Sequence, residues 1–340
     1  MNEGLPAVEG RPRPRTRFAN LRPWLGVLLS LICLVWLVCT MDWAGVWMAL
    51  TQVNYWLAVA ALLLNLASVL LRTVRWRLMF RQHHVPSFAR LTAALLIGQA
   101  VNVMAPARLG DLARAALVDT GGTVYALGTL AVEKALDLLM LAMPVVLLLS
   151  QAALPAWWRG SGHVLVVTSA LALAAVAVLV VGRRWAARVL ERAAARWRHP
   201  SVRRVLSLAG QLLLSLDILG RPAQLVPALA WSALIWLLYG TVNYLLLRAV
   251  GERPSVLAAL FLLVVLQLGI AVPSSPGRIG VFHYLCVQAL AVFGVHGPKA
   301  FSYAIILHLI SIGVPMAMGS AVAWRLGVSL WGIPKGTVES

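Results

Sequence analysis

Glu133 and Asp137 lie four residues apart in the run AVEKALDLL, so any helix containing them puts both carboxylates on one face. Acids inside an apolar run are costly, and they persist where they pair with a cation or carry a proton. Two pentapeptides supply cations: PARLG from Pro106 to Gly110, and PGRIG from Pro276 to Gly280. In each, proline breaks the preceding helix, and glycine admits a close backbone approach. The helix that follows begins with unpaired N–H groups beside a planar guanidinium, an arrangement suited to phosphate. Arg114 lies six residues beyond Arg108, and Asp111 between them can cap a helix or hold an arginine. Arg108, Arg114 and Arg278 are therefore candidate cations for an anionic ligand. Glu133 and Asp137 are candidate counter-ions or proton carriers. A structural ion pair pinning the first pentapeptide to its neighbouring helix fits the same residues, and the two roles are compatible. The position equivalent to Glu133 in the second half of the chain is Tyr303, and that of Asp137 is Leu307.

The surrounding sequence decides what holds these residues. Of 340 residues, 61% are hydrophobic, and the mean hydropathy is +0.85, too apolar for a domain whose surface faces water. Apolar runs long enough to cross a hydrocarbon core about 30 Å thick fall near 24–40, 55–71, 125–149, 164–181, 225–247 and 301–324. Two interrupted segments, 91–122 and 255–294, each carry one pentapeptide between two apolar arms. Parity between the flanking spans requires each interrupted segment to return to the side it came from. The sequence therefore predicts an all-α polytopic membrane protein. Six full transmembrane helices and two re-entrant hairpins form an inverted repeat, with eight full spans as the alternative. Residues 1–22 are a cytoplasmic disordered tail, 23–150 the first membrane repeat, 163–326 the second, and 327–340 a cytoplasmic tail. The hairpin tips Pro106, Gly110, Pro276, Gly277 and Gly280 are expected to face one another across a pseudo-two-fold axis in the membrane plane.

Charge sets the orientation. Twenty-one lysines and arginines flank one side of the spans, and four (Arg159, Arg248, Arg253 and Lys299) flank the other. The positive-inside rule then places both termini in the cytoplasm of a bacterial inner-membrane protein. A cysteine at Ser207 is expected to be shielded from a periplasmic thiol label, and one at Ser161 to react with it; reaction of Ser207→Cys from outside contradicts the topology. The net charge of +18 is mainly this topology signal. No folded basic domain or aromatic RNA motif accompanies it, so no nucleic-acid partner is expected. Within 183–222 the stretch RRWAARVLERAAARWR repeats arginine at three- and four-residue steps. It is expected to lie as an amphipathic helix on the anionic inner leaflet, or to dock lipid-biosynthesis enzymes.

Three ordered stretches, NVMAPARLGDLARAAL, AVEKALDLL and VPSSPGRIGVFHYL, resemble a transmembrane flippase-like family that includes the membrane part of lysylphosphatidylglycerol synthases. The resemblance covers nearly the whole chain and implies lipid flipping or lipid modification. It adds Asn102 and Pro273 to the candidates, beside Pro106, Arg108, Gly110, Asp111, Arg114, Glu133, Asp137, Pro276, Gly277 and Gly280. The chain departs from the pattern in three places: Asp111 stands where glutamate is usual, Arg278 where a second glycine is common, and His283 where an acid is common. His283, with an ordinary pKa near ~6.5, remains a candidate for proton coupling, or a structural histidine. No aminoacyl-transferase segment follows the last span, so synthesis of the aminoacyl lipid by this chain alone is not expected.

Other chemistries find no support. Cys33, Cys39 and Cys286 lack metal spacing and read as small core residues. No HExxH, Walker A or GxSxG pattern occurs. Many of the 14 tryptophans cluster at span ends, as interfacial belts do. The expected function is passive or ion-coupled transport of an anionic amphipathic lipid, such as a phospholipid, a glycolipid or a polyprenyl-phosphate carrier, without a cofactor. The alternative is an enzyme or accessory subunit for lipid-headgroup modification, with Glu133 and Asp137 as acid and base.

Overall fold

Backbone polar groups in a lipid-facing chain must be satisfied within the segment, which leaves helices as the only open-ended solution. The computed structural model describes residues 21–80, 85–105, 109–118, 123–149, 156–197, 199–215, 221–269 and 274–328, and among them all regular structure is helical. In order these are α1 (Leu21–Thr40), α2 (Trp43–Thr51), α3 (Tyr55–Leu78), α4 (Phe88–Met104), α5 (Leu109–Val118), α6 (Thr123–Leu149) and α7 (Ala156–Arg196). Then come α8 (Pro200–Ser215), α9 (Pro222–Ala249), α10 (Val256–Gly269), α11 (Val281–Ala291), α12 (Gly297–His308) and α13 (Val314–Arg325). A 3-10 turn, Pro276–Arg278, separates α10 from α11, and a π turn, Leu309–Gly313, joins α12 to α13. The tails, Pro106, Arg108 and Pro273 lie outside the described residues, apart from the start of α1 at Leu21 and the chain as far as Val328.

Among the described residues, three helical stretches are long and apolar enough to cross a membrane: α3, α9 and the continuous run from Gly297 to Arg325. A fourth is counted if Gly26–Thr40 and Trp43–Thr51, bent by 87°, act as one broken span. The bend was not foreseen; the sequence places span 1 at 24–40 alone. α6 has the length, at 27 residues, but carries Glu133, Lys134 and Asp137. α7 runs unbroken for 41 residues through Gly182 and the arginine-rich stretch. The amphipathic segment is thus partly a continuation of a long helix, on which α8 packs back. The multi-pass architecture stands, and the tryptophans near helix ends, Trp56 and Trp324, are each 83% exposed.

Packing organises the helices around a central pair, α3 against α9. α4 packs on α3, α5 and α13, and α10 packs on α9, α11 and α6. Small residues let these helices approach closely. A Cβ on Gly110 would collide with the Gly98 carbonyl, and one on Gly319 with the Leu96 carbonyl. Gly110→Ala is therefore expected to cost about 1–3 kcal/mol by overpacking at a backbone contact that cannot yield. Thermal unfolding in detergent checks this, and an unchanged midpoint contradicts it.

Candidate functional site

The last turns of α3 carry Arg72, Arg75 and Trp76, α5 carries Asp111 and Arg114, and α6 carries Thr129, Glu133, Lys134 and Asp137. Helical spacing puts Arg72 and Arg75 on one face of α3, and Glu133 and Asp137 on one face of α6. Where α3, α5 and α6 converge, Glu133 is buried with three guanidinium groups around it. Its Oε2 accepts from Arg114 Nη2 at 2.9 Å. Its Oε1 lies 3.3 Å from Arg75 Nη2 and 3.4 Å from Arg72 Nη2. Arg75 also donates through Nη1 to Asp137 at 2.7 Å and to the Ser232 hydroxyl of α9 at 2.9 Å.

The surrounding contacts fix these guanidinium planes. Arg114 stacks on the Trp76 ring, its Cζ 4.3 Å from the ring centroid, a cation–π contact. Trp76 in turn donates its indole N–H to the Thr129 hydroxyl at 2.9 Å. At the start of α5, the Asn102 carboxamide oxygen accepts from the Gly110 N–H at 2.8 Å, and its amide donates to Asp111 at 3.3 Å. Asn102, not Asp111, thus satisfies an orphan N–H of α5. Asp111 instead sits 3.9 Å from Arg114 and 3.7 Å from Lys134.

Exposure grades across the cluster. Arg75, Arg114 and Glu133 are each at most 2% exposed, whereas Asp137 is 31% and Lys134 44% exposed. Arg72, Arg75, Arg114 and Lys134 against Asp111, Glu133 and Asp137 leave one positive charge in excess. The Nε atoms of Arg75 and Arg114 are buried and have no hydrogen-bond partner among the described residues. A buried donor left unmet is costly, and an incoming oxygen acceptor relieves that cost. The arrangement can therefore hold an anion, with Glu133 occupying the guanidinium forks in its absence.

The structure brings together Asn102, Gly110, Asp111, Arg114, Glu133 and Asp137 as the sequence suggests. It places Arg278 elsewhere. The second tip packs against α4 and α1: the Ser275 N–H donates to the Ser30 hydroxyl at 2.7 Å, and a Cβ on Gly280 would meet the Ser30 carbonyl. Arg278 belongs to this tip; Gly277 and Gly280 supply its positive-φ backbone, at 74° and 91°. His283 is buried in an aromatic cluster, its ring centroid 4.7 Å from that of His308. His308 Nε2 lies 2.9 Å from the Gly277 carbonyl, so His308 anchors the tip and His283 packs behind it. Cys33 and Cys286 are buried as expected, but Cys39 is exposed.

Sequence reasoning missed Arg72 and Arg75. Both were counted with the cytoplasmic cations after span 2, yet they belong to the buried cluster. Their three-residue spacing, with Trp76 on the same face, was the available signal. Ser232, Trp76, Thr129 and His308 were also missed; single polar residues on apolar helices carry no spacing cue. In the second half, Tyr303 of α12 donates to Asn243 of α9 at 2.9 Å.

No curated protein and no solved structure matches the chain. A family model described as the lysylphosphatidylglycerol synthase TM region matches residues 24–319, and with the three motifs and the cluster they build, the chain belongs to that family.

Proposed function

We propose that this protein moves an anionic amphipathic lipid across a bacterial inner membrane, with the phosphate passing over the guanidinium groups of Arg72, Arg75 and Arg114. The family supports a membrane protein linked to lipid transport or modification. The observation that carries the finer reading is the buried cluster itself: three arginines share one carboxylate, and two keep an unmet Nε donor. A phosphate offers the oxygen acceptors these donors lack, and its charge offsets the cationic excess. Intramembrane charge of this kind marks a substrate or proton path by default. Headgroup modification is less well supported, because Glu133 is held by Arg114 and Arg75 and is poorly placed to accept a substrate proton.

Two further observations support the inverted-repeat and hairpin reading. The arms α4, α5, α10 and α11 have 17, 10, 14 and 11 residues, or about 26, 15, 21 and 16 Å at a helical rise of ~1.5 Å per residue. All fall short of the roughly 30 Å hydrocarbon core. The packing is also reciprocal: α4 meets α13 and α10 meets α6, α5 meets α6 and α11 meets α12, with α3 and α9 paired at the centre. Such paired interrupted helices mark the binding region of transporters built from inverted repeats.

Reconstitution tests the reading. Liposomes containing the purified protein should expose fluorescently labelled phosphatidylglycerol from the inner leaflet faster than protein-free liposomes, and faster than labelled phosphatidylcholine in the same vesicles. Equal rates with and without protein for every anionic lipid tried would remove the proposal.

A further inference from the structure

Lys134 is the outermost cation of the cluster. It follows Glu133 on α6, about 100° further around the helix, and so leaves the buried face for its edge. Lys134 is 44% exposed, Asp111 beside it 22%, and Arg114 behind Asp111 2%. The three side chains form a line from surface to interior: Lys134 Nζ is 3.7 Å from Asp111 Oδ2, and Asp111 Oδ1 is 3.9 Å from Arg114 Nη1. Both separations are too long for hydrogen bonds. The bond that holds Asp111 comes instead from the Asn102 amide, at 3.3 Å.

Depth makes the exposure of Lys134 informative. α6 begins at Thr123, so Lys134 lies about 16 Å along it, well inside an apolar run. A lysine facing hydrocarbon there would stretch its stem toward the headgroups. This one is turned to Asp111 of α5, and Ala131, one turn earlier on the same face of α6, is exposed as well. An ammonium so placed is within reach of a lipid headgroup that comes alongside α6. It engages phosphate as a point charge without the fixed fork of arginine, which suits a contact that must be made and then released.

We propose that Lys134 is the outer phosphate contact of the site: an anionic lipid arriving along α6 pairs its phosphate with this ammonium, displaces Asp111, and passes on to Arg114 while its acyl chains stay in the bilayer. This deepens the transport reading and rests on it for the kind of ligand. Phosphate oxygens can come within hydrogen-bond reach of a three-donor ammonium that Asp111 meets only at long range. Asp111 keeps its Asn102 bond and its place beside Arg114, so the exchange strands no charge. Behind it lies the buried Nε of Arg114, which lacks an acceptor among the described residues.

The test uses the full chain in phosphatidylcholine nanodiscs doped with phosphatidylglycerol, or with phosphatidylcholine, carrying a photoactivatable group beside the glycerol backbone. Crosslinks to Ala131 and Ala135, mapped by mass spectrometry, should favour phosphatidylglycerol about threefold, the size of effect an exposed ion pair gives. Lys134→Gln should bring the two lipids to parity with little change in thermal stability, because the ion pair it removes is long and exposed. Lys134→Arg should keep the preference. Asp111→Asn, which removes the competing carboxylate, should raise it. Equal labelling by the two lipids in the wild type, a preference that survives Lys134→Gln, or one that Asp111→Asn leaves unchanged would overturn the inference. Crosslinking reads the arrival of lipid at α6 and liposome flux reads its passage, so either can fail without the other.

Discussion

Glu133→Gln is expected to be the most destabilising single substitution in the protein, at about 3–5 kcal/mol, because it removes one partner of a buried charged network and leaves the other charged. Depending on which way the amide turns, either Arg114 would lose its 2.9 Å bond to Oε2, or Arg75 and Arg72 would lose their shared oxygen. Glutamine keeps the shape but offers one acceptor and no charge. The remaining carboxylates lie to one side: Asp137 on Arg75 at 2.7 Å and Asp111 on Arg114 at 3.9 Å. Neither reaches the space among the three guanidinium groups. Denaturant unfolding in detergent micelles should show the loss, and high salt should restore little of it, because a buried cluster is weakly screened. A Glu133→Gln protein as stable as the wild type would mean that the carboxylate does not hold the cluster together.

The second large effect separates stability from function. Arg114→Met combined with Glu133→Leu removes the 2.9 Å ion pair that is buried on both sides and leaves the net charge of the cluster unchanged. Replacing a buried ion pair by apolar groups of similar volume is often close to neutral. The double variant is therefore expected to recover about 2 kcal/mol or more of what Glu133→Gln alone loses, while the lipid flux attributed to the site falls to the protein-free level. Unfolding and liposome flux measured on the same preparation check both halves of this expectation. Recovery of flux along with stability would show that the pair serves folding and not lipid.

Much of this architecture is readable in the sequence because its signals are expensive ones. Two Pro–Gly interruptions in apolar segments locate the breaks between α4 and α5 and between α10 and α11. Acids four apart in an apolar run locate α6 and the face that bears the site. The two arginines of α3 escaped because arginine next to a span end has a cheaper explanation, headgroup contact, and only tertiary packing shows that α5 and α6 cover them. Arg278 was grouped with Arg114 on the repeat of the pentapeptide. The repeat locates equivalent backbone turns but does not dictate which neighbour each side chain meets, and Ser30, α4 and His308 hold the second tip in its own place. The 87° bend after Thr40 and the unbroken length of α7 also escaped. Neither Asp42 nor Gly182 differs in type from residues that leave helices intact or end them elsewhere.

The most direct measurement of the central claim is lipid flux through reconstituted Arg75→Gln and Arg114→Gln proteins, each verified as folded and inserted. Both side chains lie at the heart of the cluster, at 1% and 2% exposure. Each substitution removes charge and a two-pronged donor while keeping length and polarity. The account predicts that movement of labelled phosphatidylglycerol falls about tenfold or more in each, as loss of one charge-assisted contact to phosphate requires. Lysine at the same positions should restore part of it. Folded Arg75→Gln and Arg114→Gln proteins that move phosphatidylglycerol at the wild-type rate would contradict the account and leave the buried arginines a purely structural role.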